Sequence, residues 1–151
     1  MLYQFYQQQI FPHLLNQVMQ TASLMDKRRE LLLPVAGDVL EIGFGTGINL
    51  PFYQNVEKLY ALEPNQDIFK LASSRIFESN LELQHLQASA EHIPLADQSI
   101  DHVVSTWTLC SVQRLDQVLK EIKRVLKPNG TLHLVEHVLN TENKKFASYN
   151  T

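Results

Sequence analysis

Three glycines stand at alternate positions of a loop that follows a short apolar run. The run is 38–42, and the loop of residues 43–47 reads Gly-Phe-Gly-Thr-Gly. Because glycine lacks a Cβ atom, such a loop lets the backbone pass close to a ligand, and a helix that begins after it attracts anions. The pattern indicates a ligand-binding loop, although a tight strand-to-helix connection without a ligand gives the same pattern.

An acidic residue follows at the distance expected for a ribose-binding carboxylate. Glu63 lies 20 residues after Gly43, at the end of a second apolar run, where a carboxylate can accept hydrogen bonds from both ribose hydroxyls. The alternative interpretation is that Glu63 only stabilises the start of the next helix, because a negative charge there interacts favourably with the helix dipole. A dinucleotide fingerprint needs a third glycine at position 48, where Ile48 stands, so a nicotinamide oxidoreductase is disfavoured.

Strands that alternate with helices must position these residues. Apolar runs predict strands, and apolar residues at three-and-four spacing predict helices. Alternation of this kind predicts an α/β fold with a mostly parallel sheet, helices on both faces and ligands beyond the carboxyl ends of the strands. We expect strands at 38–42, 59–62, 81–86, 100–106 and 132–138, with helices at 48–53, 65–76 and 115–126 and a stop at Pro128-Asn129-Gly130.

The chain is expected to have three parts. We expect an N-terminal helical lid at 1–33, which Pro12 splits into two helices. The ligand-binding core is expected at 34–140 and a polar tail at 141–151. Contact with a membrane is the alternative for the amphipathic N-terminal helices.

Composition excludes several classes of function. A net charge of -3 over 151 residues and a pI near 6.0 disfavour nucleic acid as a partner. The apolar stretches are shorter than the roughly 20 residues of a transmembrane helix, and the histidines lack metal-ligand spacing. The single Cys110 excludes an internal disulfide, and no signal-peptide pattern stands at the start. We therefore expect a cytoplasmic protein without a metal.

From residue 37 to residue 138 the sequence resembles the class I S-adenosylmethionine-dependent methyltransferases. Residues 41–47 match the first motif of that family, an acid, any residue, then Gly-x-Gly-x-Gly, and Glu63 matches its ribose-binding acid. Residues 88–101 resemble the segment around the adenine, and 126–132 the turn before the fifth strand. Residues 108–112 and 135–138 look like the branch of thiol methyltransferases and quinone-biosynthesis methyltransferases.

The resemblance implies a Rossmann-like methyltransferase fold with S-adenosyl-L-methionine as cofactor and a small, lipophilic methyl acceptor, either a thiol or a quinone-like molecule. Ser89 stands where many relatives have Asp, which shifts the adenine contact toward the backbone. The cofactor-binding residues implied by the resemblance are Glu41, Gly43, Gly45, Thr46, Gly47, Glu63, Pro64, Ser89, Ala90, Glu91, Thr106 and Trp107.

Two residues at the end of the fifth strand are candidates for removing a proton from the acceptor. His137 is the catalytic candidate and Glu136 its neighbour, although a histidine at a strand end is more often structural. We interpret Cys110 as a small buried residue near the cofactor, not as a nucleophile. The basic residues of 120–127 predict a solvated helix face, with an anion site as the alternative.

The family core has seven strands, and this sequence stops about where the sixth would begin. We therefore expect a fold truncated after the fifth strand, with either self-association through the exposed edge of that strand or marginal stability of the chain. The alternative function is a truncated, non-catalytic module that binds S-adenosylmethionine without turnover.

Overall fold

A five-stranded parallel sheet forms the centre of the structure, a computed structural model that describes residue 17 and residues 19–136. The order of the strands is β3-β2-β1-β4-β5. The strands are β1 (Ala36–Ile42), β2 (Asn55–Leu62), β3 (Glu82–Leu86), β4 (Ile100–Thr106) and β5 (Leu126–Val135). The helices are α1 (Ala22–Leu32), α2 (Gln66–Lys70), α3 (Ser73–Ser79) and α4 (Leu115–Val125), with single 3₁₀ turns at Leu50–Phe52 and Leu109–Ser111.

Both faces of the sheet are buried, which explains why its central strands are apolar at nearly every position. Leu40 and Ile42 of β1 pack in one cluster with Val118 of α4. Val39 packs in a second cluster with Leu32 of α1. Successive side chains of a strand point to opposite faces, so each face needs its own cover. The predicted parallel sheet with helices on both faces is confirmed.

The order of the strands reverses beside β1, which pairs with β2 on one side and with β4 on the other. Ile42 at the end of β1 lies opposite Ser105 near the end of β4. The glycine loop and the segment after Thr106 therefore leave the sheet side by side. In parallel sheets, ligands bind at this switch point.

The prediction of a helix directly after the glycine loop is wrong. Residues 48–53 form only the 3₁₀ turn Leu50–Phe52, and α2 and α3 divide what the sequence predicts as one helix at 65–76. Strand β2 already begins at Asn55, so there is no room for further helical turns after the 3₁₀ turn.

The fifth strand begins earlier than predicted. Ile100 pairs with Leu126 and His102 with Thr131, so the residues between Leu126 and Thr131 bulge out of the strand. A Cβ on Gly130 would lie 3.0 Å from the Asp101 carbonyl oxygen, which shows how closely the bulge packs on β4. Pro128-Asn129-Gly130 therefore forms this bulge, while helix α4 has already ended at Val125.

Several predicted segments lie outside the described residues: positions 1–16 of the helical lid, His137 and Val138, and the tail 141–151. None of the described helices has the length and apolar character needed to cross a membrane.

Candidate functional site

Two adjoining cavities lie at the carboxyl ends of β1, β2 and β4. Their volumes are about 450 and about 570 Å³, within the usual range for small-molecule sites. Both are lined by Gly43 and Glu63. The cavity that also contains Arg28 and Gly45 is called the first cavity, and the one lined by 89–91 the second. An elongated ligand that fills both must pass Gly43 and Glu63.

The glycines of the loop differ in what surrounds them. Gly43 has φ +70°, and a Cβ there would lie 2.3 Å from the Thr108 side chain. Gly45 has φ +57°, and the nearest atom to its Cβ would be the Gly43 carbonyl oxygen at 3.8 Å. Gly43 is therefore required by packing, whereas Gly45 borders open space in the first cavity.

The Glu63 carboxylate lies where the two cavities meet, and it is 7% exposed. Its Oε2 accepts a hydrogen bond from the Gly45 N–H at 3.1 Å, and its Oε1 accepts one from the Asn65 N–H at 3.0 Å. A carboxylate has about four acceptor positions. Each oxygen of Glu63 therefore retains acceptor capacity for a ligand hydroxyl.

A buried carboxylate forms the floor of the first cavity. Glu41 is 2% exposed, and its oxygens accept hydrogen bonds from the Asn49 side chain at 2.8 Å and the Tyr53 hydroxyl at 2.7 Å. Burial raises the pKa of Glu41 to about 7, although both hydrogen bonds and the charge of Arg28 act in the opposite direction. Glu41 therefore exchanges its proton near neutral pH.

The guanidinium of Arg28 on α1 forms one wall of the first cavity. Arg28 is 3% exposed, and its Nη1 donates to Asn49 Oδ1 at 2.6 Å and to Thr106 Oγ1 at 3.0 Å. Burial lowers the pKa of this guanidinium, and the charge of Glu41 opposes that shift. Asn49 thus joins the cation of Arg28 to the carboxylate of Glu41.

Trp107 covers Arg28 from the end of β4. Its ring centroid lies 4.7 Å from the Arg28 guanidinium carbon, within the range of a cation–π contact. Its backbone has φ +54°, which is strained for a side chain of this size. The Trp107 N–H donates to the Val135 carbonyl at 2.7 Å, so β5 stabilises this conformation.

The second cavity has a polar rim. Ser89 donates to Glu91 Oε2, and the Arg114 N–H donates to Glu91 Oε1 at 3.4 Å. Pro64 and Ala90 also line this cavity. Ser89 and Glu91 together place hydroxyl and carboxylate oxygens at its edge.

Glu136 holds the segment after β4 in place. Its Oε1 accepts hydrogen bonds from the Ser105 hydroxyl at 3.0 Å and from the N–H groups of Thr108 and Leu109 at 2.9 and 3.0 Å. These contacts indicate a structural task for Glu136. Its predicted partner in proton removal, His137, lies outside the described residues.

Residues 40–134 match the family described as methyltransferase domain. The chain belongs to the methyltransferase domain family. The resemblance inferred from the motifs is thereby confirmed.

Curated relatives of this methyltransferase-domain chain include a thiol S-methyltransferase and a demethylmenaquinone methyltransferase. The human thiol S-methyltransferase TMT1A is 35% identical over 145 residues, which cover 85% of this chain and 58% of the relative. The demethylmenaquinone methyltransferase of Lactobacillus johnsonii is 40% identical over 108 residues, which cover 67% of this chain and 44% of the relative. The chain thus spans about half the length of these relatives.

Solved structures match the fold. The YcgJ protein from Bacillus subtilis has a TM-score of 0.68 at 26% identity, over 78% of this chain and 52% of that one. A SAM-dependent methyltransferase from Aquifex aeolicus has a TM-score of 0.68 at 21% identity, over 89% of this chain and 77% of that one. Together they show the Rossmann-like fold of the family.

The structure brings most of the predicted cofactor residues to the two cavities. Gly47 lines neither of them and packs against Leu50 and Ala72 instead. Those that line a cavity are Glu41, Gly43, Gly45, Thr46, Glu63, Pro64, Ser89, Ala90, Glu91, Thr106 and Trp107. Their roles toward a cofactor stay predictions.

Sequence reasoning missed Arg28 and Asn49. Asn49 lies in a segment predicted as helix and gives no signal of its own. Arg28 stands four residues before the buried Leu32 on the same helix, so it shares the inward face of α1. This four-residue spacing from a buried leucine was the sequence signal that could have identified Arg28 as an inward-facing residue. The prediction of Cys110 as a buried residue is wrong, because Cys110 is exposed.

Proposed function

We propose that this chain is an S-adenosylmethionine-dependent methyltransferase for a small lipophilic acceptor, a thiol or a quinone-like molecule. The observation that carries the proposal is the Glu63 carboxylate, which lies at the junction of two cavities and is oriented by backbone N–H groups from both sides. Family membership and the names of the relatives support it.

The shape of the site fits a donor with three parts. The second cavity, with Ser89 to Glu91, suits the adenine. Glu63 suits the two ribose hydroxyls. The open space beside Gly45 suits the methionine part, because a side chain at that position would occupy it. The residues present therefore fit the donor along its whole length.

The donor, when bound, supplies a methyl carbon on a sulfonium that a nucleophile can displace directly. The task left to the chain is to hold donor and acceptor in line in a cavity from which water is excluded. Trp107 and Ile48 give the first cavity apolar walls, which suits a lipophilic acceptor. A thiol acceptor reacts as the thiolate, so His137 stays the proposed base.

We also propose a lid, a compartment and a mode of self-association for the chain. Residues 1–33 act as a lid over the first cavity, since Met19 and Arg28 line that cavity. The core is 34–140, and 141–151 is a tail. The exposed free thiol of Cys110 fits a reducing compartment, so we place the protein in the cytoplasm. We also propose that β5, an outer strand of the described sheet, mediates self-association through its edge.

Calorimetry with S-adenosylhomocysteine tests donor binding. Glu63→Ala should weaken binding at least tenfold, because each lost hydrogen bond to a charged acceptor contributes about 1.5 to 3 kcal/mol. Glu82→Ala is the matched control, since this exposed carboxylate on β3 forms an ion pair with Lys58 away from the cavities. Equal affinity of the folded Glu63→Ala variant and the wild type would remove Glu63 from the ribose site.

Turnover distinguishes an enzyme from a binding module. The chain is incubated with S-adenosylmethionine and a small alkyl thiol or a demethylated quinol, and S-adenosylhomocysteine is quantified. Its formation only in the presence of acceptor supports the proposal. Tight donor binding without product for either acceptor class favours the non-catalytic module.

A further inference from the structure

His85 lies on β3, directly before the last residue of the strand, and lines neither of the two cavities. Its Nε2 lies 2.9 Å from the backbone carbonyl oxygen of Glu63. A carbonyl oxygen can only accept a hydrogen bond, so the His85 ring must carry a proton on Nε2 and donate it to Glu63. The imidazole thus contacts the backbone of the residue whose carboxylate lies where the cavities meet.

The hydrogen bond from His85 continues the pairing of β2 with β3 beyond the end of the two strands. Leu62 and Leu86 are their last paired residues. The Glu63 N–H still donates to the Leu86 carbonyl oxygen at 3.1 Å, but the backbone then turns back, since the Ala88 N–H donates to that same oxygen at 3.0 Å. The side chain of His85 therefore replaces a strand N–H as the donor to the Glu63 carbonyl oxygen.

Aromatic stacking fixes the position of the His85 ring. The ring lies parallel to that of Phe69 on α2, with centroids 3.7 Å apart and an angle of 3° between the planes. Phe69 in turn contacts the ring of Phe44 in the glycine loop, at a centroid distance of 5.5 Å. Phe44 is buried, so the three rings join the backbone of Glu63 to the loop whose Gly45 N–H binds its carboxylate.

We propose that His85 is a positioning residue that orients the Glu63 carboxylate toward the ribose hydroxyls of the methyl donor. The inference rests on the proposed function, in which Glu63 binds those hydroxyls. Hydrogen bonds from the Gly45 and Asn65 N–H groups hold the two carboxylate oxygens, whereas His85 holds the backbone from which the side chain extends. Hydrogen bonds weaken steeply when their angle departs from linear, so a displaced Glu63 backbone would weaken both ribose contacts.

Two substitutions separate the hydrogen bond of His85 from its ring stack. His85→Phe keeps a ring against Phe69 and removes the donor, whereas His85→Gln keeps an N–H donor and removes the ring. Calorimetry with S-adenosylhomocysteine should show binding about fivefold weaker for His85→Phe, the scale of one neutral hydrogen bond, and within about twofold of the wild type for His85→Gln. Gln84→Ala is the matched control and should bind as the wild type does, since Gln84 is exposed beside His85 on β3.

A double-mutant cycle with Glu63→Ala tests whether His85 acts through the carboxylate. Without the carboxylate there is no group for His85 to orient, so His85→Phe should change the affinity of the Glu63→Ala variant by less than about twofold. A general structural role of His85 would weaken binding by the same factor in both backgrounds. Equal factors therefore contradict the inference.

The outcomes also separate this inference from the proposed function. A Glu63→Ala variant that binds S-adenosylhomocysteine as tightly as the wild type overturns the ribose site itself, and the role of His85 with it. An affinity that Glu63→Ala lowers and His85→Phe leaves unchanged overturns only the role of His85.

The wild type provides a test that does not depend on the folding of a variant. NMR spectra of the histidine ring nitrogens should show the neutral His85 ring with its proton on Nε2, because that nitrogen donates to Glu63. A proton on Nδ1 instead would overturn the inference. If His85→Phe does not fold, His85→Met, whose side chain also lacks an N–H, replaces it in the cycle with the same expected result.

Discussion

The three glycines of the loop after β1 have different tasks. A Cβ on Gly43 would collide with Thr108, and one on Gly47 would lie 3.0 Å from Leu50. Only the missing Cβ of Gly45 leaves space that a ligand can use. All three have positive φ angles, so any replacement is strained, but only at Gly45 should the loss of binding exceed the loss of stability.

Gly45→Val should abolish donor binding and leave the helix content nearly intact. The branched side chain would occupy the first cavity, and its strain at φ +57° should lower the free energy of unfolding by about 1 to 3 kcal/mol. Calorimetry and circular dichroism measure the two effects separately. Gly43→Ala is the comparison, because its clash with Thr108 should mainly destabilise the fold. If Gly45→Val binds the donor normally, the loop is only a connection.

The raised pKa of Glu41 gives the fold a pH dependence. Its pKa is about 7 in the folded chain, against an ordinary value of 4.5 for an exposed glutamate, so between these values the folded state binds more protons than the unfolded state. The free energy of unfolding should therefore decrease as the pH rises from 4.5 to 7, and level off above 7. The contribution of Glu41 over this range is about 3 kcal/mol.

Urea unfolding of the wild type and Glu41→Gln at several pH values measures this contribution. The variant carries no ionisable group at this position, so the difference between the two proteins should change with pH as stated, while contributions from histidines such as His133 cancel. Parallel stability curves for the two proteins would show that Glu41 does not titrate in this range.

Arg124 anchors α4 to the loop that precedes β4. Its guanidinium donates to Glu121, to the carbonyl oxygens of Ile93 and Leu95, and to Asp97, each at 2.8 Å. These contacts raise the pKa of Arg124 and lower that of Glu121. The basic residues of α4 therefore differ in their contacts. Arg124 donates hydrogen bonds to backbone carbonyl oxygens, whereas Lys123 is exposed to solvent.

Arg124→Ala should lower the free energy of unfolding by about 2 to 4 kcal/mol, because two carbonyl oxygens and a half-buried carboxylate lose their donor. Chemical denaturation measures the change. Lys123→Ala, one position earlier on the same helix, should stay within about 0.5 kcal/mol of the wild type. Similarly small changes in the free energy of unfolding for both variants would show that Arg124 does not anchor α4.

Elements with strong local signals could be predicted, and the contacts between them could not. The β1 run, the glycine loop and Glu63 follow from spacing within a few dozen residues. The network of Arg28, Asn49 and Thr106 joins positions up to 78 residues apart, and no local pattern specifies such pairs. The early start of β5 was missed because the bulge at Pro128-Gly130 has the composition of a turn.

The five-stranded sheet has β5 at one end. Among the described strands, β5 pairs only with β4, and a strand at the edge of a sheet can pair with another chain.

The 151-residue chain is expected to self-associate through this edge. Sedimentation velocity over a range of concentrations should give an average mass that rises above the 17.4 kDa of one chain. Thr131→Lys should reduce the association, because Thr131 is exposed on β5 and a lysine on an edge strand hinders pairing. A wild-type chain that remains a monomer at every concentration would show that the edge is covered.

The central position of β1 has a consequence for the order of folding events. β1 pairs with β2, which follows it closely, but also with β4, where Val39 lies opposite His102. The second pairing closes a loop of about sixty residues, and non-local pairing of this kind slows folding. The first cavity lies between the ends of β1 and β4. Neither half of the chain, the residues up to β3 or the residues from β4 onward, therefore forms this cavity alone. Competence to bind the donor should therefore appear in a late kinetic phase, together with the joining of the two halves.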